Sequence, residues 1–197
     1  GAAQIAFLQK LGLLEAMRTE AGPVAAPKLP KRWGQTETIT ISYGHGLAVA
    51  PIQFAAAAAA LLNGGRKVSP TFRAGAERAL SAGEPVVTAE TSTALAGLMR
   101  RNVTHPAGTG RRADVPGSEV GGKTGTAEMP APGGYKESAV ISSFVATFPT
   151  SAPRYLVLVA LHEPKPTAET RGHVTAGLNA APTAGRIIAR TAPLLGL

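Results

Sequence analysis

Apolar residues Ile5, Leu8, Leu11, Leu14 and Met17 recur near helical spacing. This predicts a helical hairpin or a broken amphipathic helix over residues 1–20, with Gly12 as its weak point. Over residues 21–33 the pattern is lost: Pro23, Pro27 and Pro30 exclude regular helix, while Lys28, Lys31 and Arg32 favour solvent. A surface loop is expected there. Thr and Ile alternate across 36–42, and Tyr43-Gly44-His45-Gly46-Leu47 then sets two glycines around a histidine, which permits tight turns. Pro51 suits the first turn of a helix over 52–62, and Asn63-Gly64-Gly65 stops it. The run of alanines at 55–60 lets that helix lie close to neighbours and be buried all round.

Residues 66–74 read as extended. After a turn near 83–85 a second helix is expected, with Thr88 as N-cap, Glu90 in the first turn and Leu95, Leu98 and Val103 on one face. Arg100 and Arg101 fall in its last turn, where cations complement the helix dipole. Residues 105–122 are rich in Gly, Pro and charge, the composition of an exposed connector, with Arg111 and Arg112 as a solvated pair. Three strand-like segments follow at 121–128, 139–148 and 154–161, and the short turn-forming connections between them make neighbours antiparallel. A last helix over 180–195 offers Ile187, Ile188 and Leu194 to the sheet. The fold class is therefore α/β of the α+β type: an antiparallel sheet flanked by helices.

In a chain of 197 residues, 44% hydrophobic and 16% charged, there is enough apolar material for a real core. Twenty Lys and Arg against twelve Asp and Glu leave a net charge of +8, which suits an anionic partner. With 5% aromatic residues, one Trp and no zinc, helix-turn-helix or RNP pattern, nucleic acid is not the expected partner. No cysteine is present, so disulfides and thiol nucleophiles are excluded. His105, His162 and His173 lack metal-ligand spacing, and no cofactor is expected. The chain opens Gly1-Ala2-Ala3-Gln4 without Met or a signal segment, so it is expected to be part of a longer polypeptide.

The most informative segment is Gly121-Gly122-Lys123-Thr124-Gly125-Thr126-Ala127-Glu128. On a strand, Thr124 and Thr126 share one face and Lys123 and Gly125 the other. Gly125 leaves the strand bare, so that a ligand backbone can lie along it as an added strand. Two hydroxyls and a cation beside such an edge suit a ligand with a carboxylate and a peptide-like backbone, and twist or a bulge would bring Lys123 towards the same cleft. The letters at 117–124 also fit a phosphate loop, but Glu119 puts an acid in the cradle, and Pro130 and Pro132 follow where that loop requires a helix.

Lys-Thr-Gly is one element of the signature of penicillin-binding proteins and serine β-lactamases. Around it stand Ser42-Tyr-Gly-His-Gly-Leu-Ala-Val-Ala-Pro-Ile-Gln53, Asn63-Gly-Gly, Gly108-Thr-Gly110, Ser143-Phe-Val-Ala-Thr-Phe-Pro149 and Pro153-Arg-Tyr-Leu-Val-Leu-Val159. In this order the chain resembles the C-terminal part of the transpeptidase domain of class B penicillin-binding proteins, most closely those of cell division. The resemblance implies the penicillin-binding, β-lactamase-like fold and a serine acyl-transferase that cross-links peptidoglycan stem peptides and is blocked by β-lactams. It implies that Lys123 supplies positive field to the substrate's terminal carboxylate, that the Thr124 and Thr126 hydroxyls bind it, and that the Thr126 N–H is one oxyanion donor. Gly125 then lies against the substrate, and His45 lines the cleft rim, although a histidine in a glycine-rich turn is also read as structural. Divisome proteins are the implied partners, on the periplasmic side of the inner membrane.

No serine of the chain has Lys three places on or Asn two places on. The nucleophile, its base and the Ser-x-Asn element are thus expected upstream, with two further strands and the nucleophile's helix, leaving the fold incomplete and the chain inactive alone. The missing part of the domain then counts as a partner, and the chain is stable only with that segment supplied. Two other readings fit the same residues: a serine β-lactamase relative with a deacylating base, and a non-catalytic cell-wall-binding or scaffold module.

Overall fold

A computed structural model of the protein describes residues 1–73, 83–131 and 134–197. They form two compact units, Gly1–Thr93 and Ala94–Leu197.

The first unit holds α1 (Ala2–Lys10), a two-residue ladder of β1 (Arg18–Thr19) with β2 (Gly22–Pro23), α2 (Gln35–Ser42) and α3 (Pro51–Leu62). The early periodicity yields a single helix, because Gly12 takes φ +73° just beyond α1 and turns the chain. Leu11 and Leu13 then pack with Ala57, Ala60 and Val86, leaving Leu14 and Met17 outside any helix. Gln53, 1% exposed, fixes that turn by donating from Nε2 to the carbonyls of Gly12 and Glu15, each at 2.7 Å. Alternating Thr and Ile fold as α2, a helix: Gly34 N–H donates to Glu37 Oε2 at 2.9 Å and the Thr38 hydroxyl to Gly34 O at 2.8 Å. These local bonds close the first turn, and only Ile41 of α2 is buried, so the period-two pattern has no sheet face to fill. α3 forms over the expected residues and none of its alanines at 55–60 is exposed, but it is not buried all round, since Phe54 is 39% exposed; Gly64 and Gly65 end it at φ +89° and +84°. Arg66 bridges to Pro85, while Ala74 lies outside the described residues.

Helix α4 (Ala89–Thr104) begins where Thr91 N–H donates to Thr88 Oγ1 at 3.2 Å. Its buried row is Ser92, Ala96 and Val103, at intervals of four and seven residues, and Leu98 falls off that row and is 63% exposed. The expected Leu95, Leu98, Val103 face is corrected accordingly.

In the second unit β3 (Gly121–Ala131), β4 (Gly134–Phe148) and β5 (Tyr155–His162) form an antiparallel sheet in that order. The three expected strands are present, but the first hairpin is longer than the prolines suggested, running to Ala131 and resuming at Gly134; Pro132 and Gly133 lie outside the described residues. β3 pairs with β4 from Gly121↔Thr147 through Thr124↔Phe144 and Thr126↔Ser142, and its register shifts only between Glu128 and Pro130. Phe144, Ala146, Phe148 and Val159 on one face pack with α5 (Ala180–Thr191) through Ala180, Ala181, Ala184 and Ile188. The last helix ends at Thr191, not Leu195, and a 3₁₀ turn follows at Pro193–Leu195. Its packing face is small-residue: Gly185 is buried, and a Cβ there would lie 3.1 Å from Ala113 Cα, whereas Ile187 is 39% and Leu194 84% exposed. Only Ile188 of the three expected apolar contacts reaches the core. Residues 105–122 are likewise not exposed throughout: a 3₁₀ turn at Arg111–Ala113 buries Ala113, and Val120 is also fully buried.

Asn179 joins this helix to the sheet. Its Oδ1 accepts from Ala180 N–H at 2.5 Å and from the buried Ser142 hydroxyl, and its Nδ2 donates to Val174 O at 2.9 Å. Asn179→Ala is expected to lower stability by about 2 kcal/mol, one cap plus one orphaned buried hydroxyl, read as a lower urea midpoint at unchanged slope.

Candidate functional site

Strand register sets the site. Because Thr124 stands opposite Phe144 and Thr126 opposite Ser142, both threonines face the side of the sheet covered by α5; Lys123 and Gly125, opposite Val145 and Ser143, face the other side. This division is the one the period of two predicts.

β3 is the edge of its sheet. The carbonyls of Val120, Gly122 and Thr124 accept from Arg100 Nη1 at 2.7 Å, Asn102 Nδ2 at 2.8 Å and Lys123 Nζ at 2.7 Å. None of these donors belongs to β4, so the even-numbered backbone groups face the open edge. In an antiparallel strand a residue presents N–H and C=O on the same side, which aims the Thr126 N–H at that edge too. The exposed Lys123 ammonium caps the Thr124 carbonyl at the edge rather than lying among the hydroxyls. No bulge carries it round, since the register is regular through Glu128.

The missing Gly125 side chain has a packing reason of its own. A Cβ at that position would lie 2.7 Å from Ser143 Oγ, and the Ser143 hydroxyl donates to Gly125 O at 3.2 Å.

Beside the threonine face lies a cavity of about 740 Å³, bounded by Gly108, Thr109, Arg111, Arg112, Thr124, Thr126 and residues 175–178. Among the described residues, the charged members of its lining are Arg111 and Arg112, so its field favours an anion. Arg111 is steadied by donating to Pro106 O at 2.9 Å. Thr126 Oγ1 accepts from the N–H of buried Ala176 at 3.2 Å, and Thr124 Oγ1 lies 2.8 Å from Thr109 Oγ1. Cavity and edge together offer two hydroxyls, an outward N–H and cationic walls, which is the equipment for holding a carboxylate beside an extended backbone.

Thr109 sits there because two glycines let its loop close on α4. A Cβ at Gly108 would lie 2.1 Å from Asn102 O, and one at Gly110 3.0 Å from Asn102 Nδ2. On the far side a Cβ at Gly177 would lie 2.6 Å from Thr109 O. The spacing Gly108-Thr-Gly110 was the available sequence signal for this wall; Asn102 and residues 175–178 carried none.

His45, in the first unit, is half-buried between Gly44 at φ +99° and Gly46 at φ +87°. Its N–H donates to Thr40 O at 3.0 Å and its ring meets Tyr43 edge-on at 5.7 Å. These contacts make it part of the turn that ends α2. Among the described residues no group of acidic or histidine side chains is arranged to hold a metal ion, and no helix is long and apolar enough to cross a membrane.

Residues 7–188 match the family described as the penicillin binding protein transpeptidase domain. The chain is 42% identical over 198 aligned positions to the probable peptidoglycan D,D-transpeptidase FtsI of Caulobacter vibrioides, covering 97% of this chain and 34% of that protein. It is 36% identical over 177 positions to stage V sporulation protein D of Bacillus subtilis, covering 85% and 26%. In three dimensions it resembles the apo transpeptidase domain of Burkholderia pseudomallei penicillin-binding protein 3, with TM-score 0.84 and 31% identity, covering 98% of this chain and 57% of that one. The chain thus spans about a third of the curated relatives' length. The strand carrying Lys123-Thr124-Gly125-Thr126, its antiparallel sheet and the helix packed behind it belong to a chain of the penicillin-binding protein transpeptidase domain family.

Proposed function

We propose that this chain supplies the carboxylate-recognising wall of a peptidoglycan D,D-transpeptidase, and that the rest of its domain, bearing the reactive serine, is the segment it works with. The observation that carries this is the edge of β3, where an outward Thr126 N–H adjoins a cation-walled cavity holding two hydroxyls. A stem peptide ending in D-Ala-D-Ala lies along that edge as an added strand. The Thr126 hydroxyl donates to the terminal carboxylate, and Thr124 faces the same group. The cavity arginines hold it by charge, Lys123 adds positive field from the strand edge, and Gly125 keeps the strand bare.

The serine oxygen attacks the penultimate D-Ala carbonyl, and the Thr126 N–H stabilises the resulting oxyanion, a contribution of about 3 kcal/mol for one such donor. The peptide bond then breaks, D-Ala leaves as the amine, and an amine of a second stem displaces the serine, forming the cross-link and freeing the enzyme. A β-lactam enters by the same carboxylate contacts. Work on extracytoplasmic peptidoglycan puts the site on the periplasmic side of the inner membrane, and the likeness to FtsI favours divisome partners.

Fluorescent penicillin is the test. The 197-residue chain, with no Ser-x-x-Lys in its sequence, is expected to give no covalent band by itself. Joined to the transpeptidase segment that bears this motif, it labels at that serine, and Lys123→Ala reduces labelling by roughly 10-fold to 100-fold. Labelling unaffected by Lys123→Ala defeats the carboxylate assignment. Failure of the joined protein to label, with stem peptide still retained, favours a non-catalytic wall-binding module.

A further inference from the structure

We propose that Asn102, Thr109 and Thr124 form a hydroxyl relay whose polarity reverses when an anion enters the cavity, making Thr109 a positioning residue that acts through Thr124. This rests on the reading of the cavity as a carboxylate site.

The starting polarity follows from counting protons. Asn102 Nδ2 donates to Gly122 O at 2.8 Å, which fixes the orientation of the amide, so Oδ1 is the atom turned to Thr109. That oxygen accepts both the Thr109 N–H and the Thr109 hydroxyl, each at 3.1 Å. A hydroxyl has one proton, and that of Thr109 is directed at Asn102. In the 2.8 Å contact between Thr109 and Thr124 the donor is therefore Thr124. In this polarity Thr124 shows only lone pairs to the cavity and accepts a ligand N–H but opposes a carboxylate. Thr126 differs: its oxygen accepts from Ala176 N–H at 3.2 Å, so its own proton is already available to an anion.

Rotation of two O–H bonds reverses the chain with the heavy atoms in place. Thr109 turns its proton to Thr124, and Thr124 turns its own to the carboxylate. Asn102 Oδ1 retains the Thr109 N–H, so no acceptor on the protein is left bare. In the reversed chain each hydroxyl donates onward, and hydrogen bonds in series strengthen one another. Gly108 and Gly110 keep the relay assembled, because a side chain at either position would push the loop off Asn102.

The test compares a penicillin with its methyl ester as acylating agents of the longer transpeptidase that carries this chain. Thr109→Val is expected to slow the free acid about fivefold, the measure of one neutral hydrogen bond, while leaving the ester within twofold. Thr109→Ser restores the acid rate. Equal slowing of acid and ester, or no slowing of either, overturns the relay. A second readout is independent of acylation: Thr124 χ1 couplings by NMR in the same longer transpeptidase. Thr109→Val releases Thr124 to average among rotamers, Thr109→Ser holds it, and an unchanged rotamer in Thr109→Val overturns the proposal. If the wild-type longer protein does not acylate at all, the transpeptidase reading fails, and the χ1 result still decides whether Thr109 positions Thr124.

Discussion

Gly122→Ala is expected to destabilise the second unit by about 3 kcal/mol, the upper end for forcing extra volume into a packed interior. The new Cβ would lie 2.2 Å from Phe144 Cζ, 2.6 Å from Phe144 Cε1 and 2.8 Å from Val145 O. Phe144 is fully buried among Val103, Ala113, Ala180 and Ile188, so its ring has nowhere to move, and the Val145 carbonyl is part of the sheet. The strain falls one residue before Lys123, so what remains folded would carry a displaced site. Gly125→Ala is the control. Its Cβ meets only Ser143 Oγ, at 2.7 Å, and a serine side chain can rotate, which limits the loss to about 1 kcal/mol. Urea midpoints of the two variants check the difference; equal midpoints would show that the Phe144 wall yields.

Thr126→Val in the longer transpeptidase is expected to slow acylation by a carboxylate-bearing β-lactam roughly 30-fold to 100-fold, the scale of one hydrogen bond to a charged group. Valine keeps the volume and removes the hydroxyl whose proton faces the cavity. It also strips the N–H of Ala176, 1% exposed, of its acceptor, which costs about 1–3 kcal/mol and loosens residues 175–178. Thr126→Ser restores both partners and recovers most of the rate. A Thr126→Val enzyme as fast as wild type would place the anion elsewhere. Gly122→Ala and Thr126→Val separate the two demands on β3: one tests how tightly the strand is seated, the other what it shows to a ligand.

Where one local signal dominated, the sequence announced the structure. Pro51, the alanine run and Asn63-Gly64-Gly65 gave α3 its bounds, and short turns between apolar runs gave the β3-β4-β5 order. The alternation of Lys123 and Thr124 fixed which side chains share a face, and the register bears it out. Illegible elements were those decided by a local capping bond that the periodicity does not show or by partners distant in sequence. The alternating Thr and Ile of 36–42 carry no helical period, yet Gly34 and Glu37 close a helical turn at their start. Leu98 looked like core because it is leucine, yet small Ala96 and Ser92 define the buried row of α4. The segment at 105–122 looked like solvent because Gly, Pro and Arg dominate it, but those glycines serve close approach, and they set Thr109 and two arginines on a cavity wall. Asn102 stands among charged neighbours with no pattern to single it out; its role depends wholly on Gly122 and Thr109 being brought to it.

The nesting of Gly108, Gly110 and Gly177 around Thr109 has a consequence for how the cavity can diversify. Each of the three positions meets a neighbouring atom within 3.0 Å of the first carbon of any side chain. Drift at these positions therefore dismantles the wall instead of reshaping it. Arg111, Arg112 and Thr175 line the same cavity and stand exposed, so substitution there recolours its charge and narrows its mouth without disturbing the frame. Variation in what the cavity accepts is therefore expected to concentrate on exposed side chains of the rim such as these three.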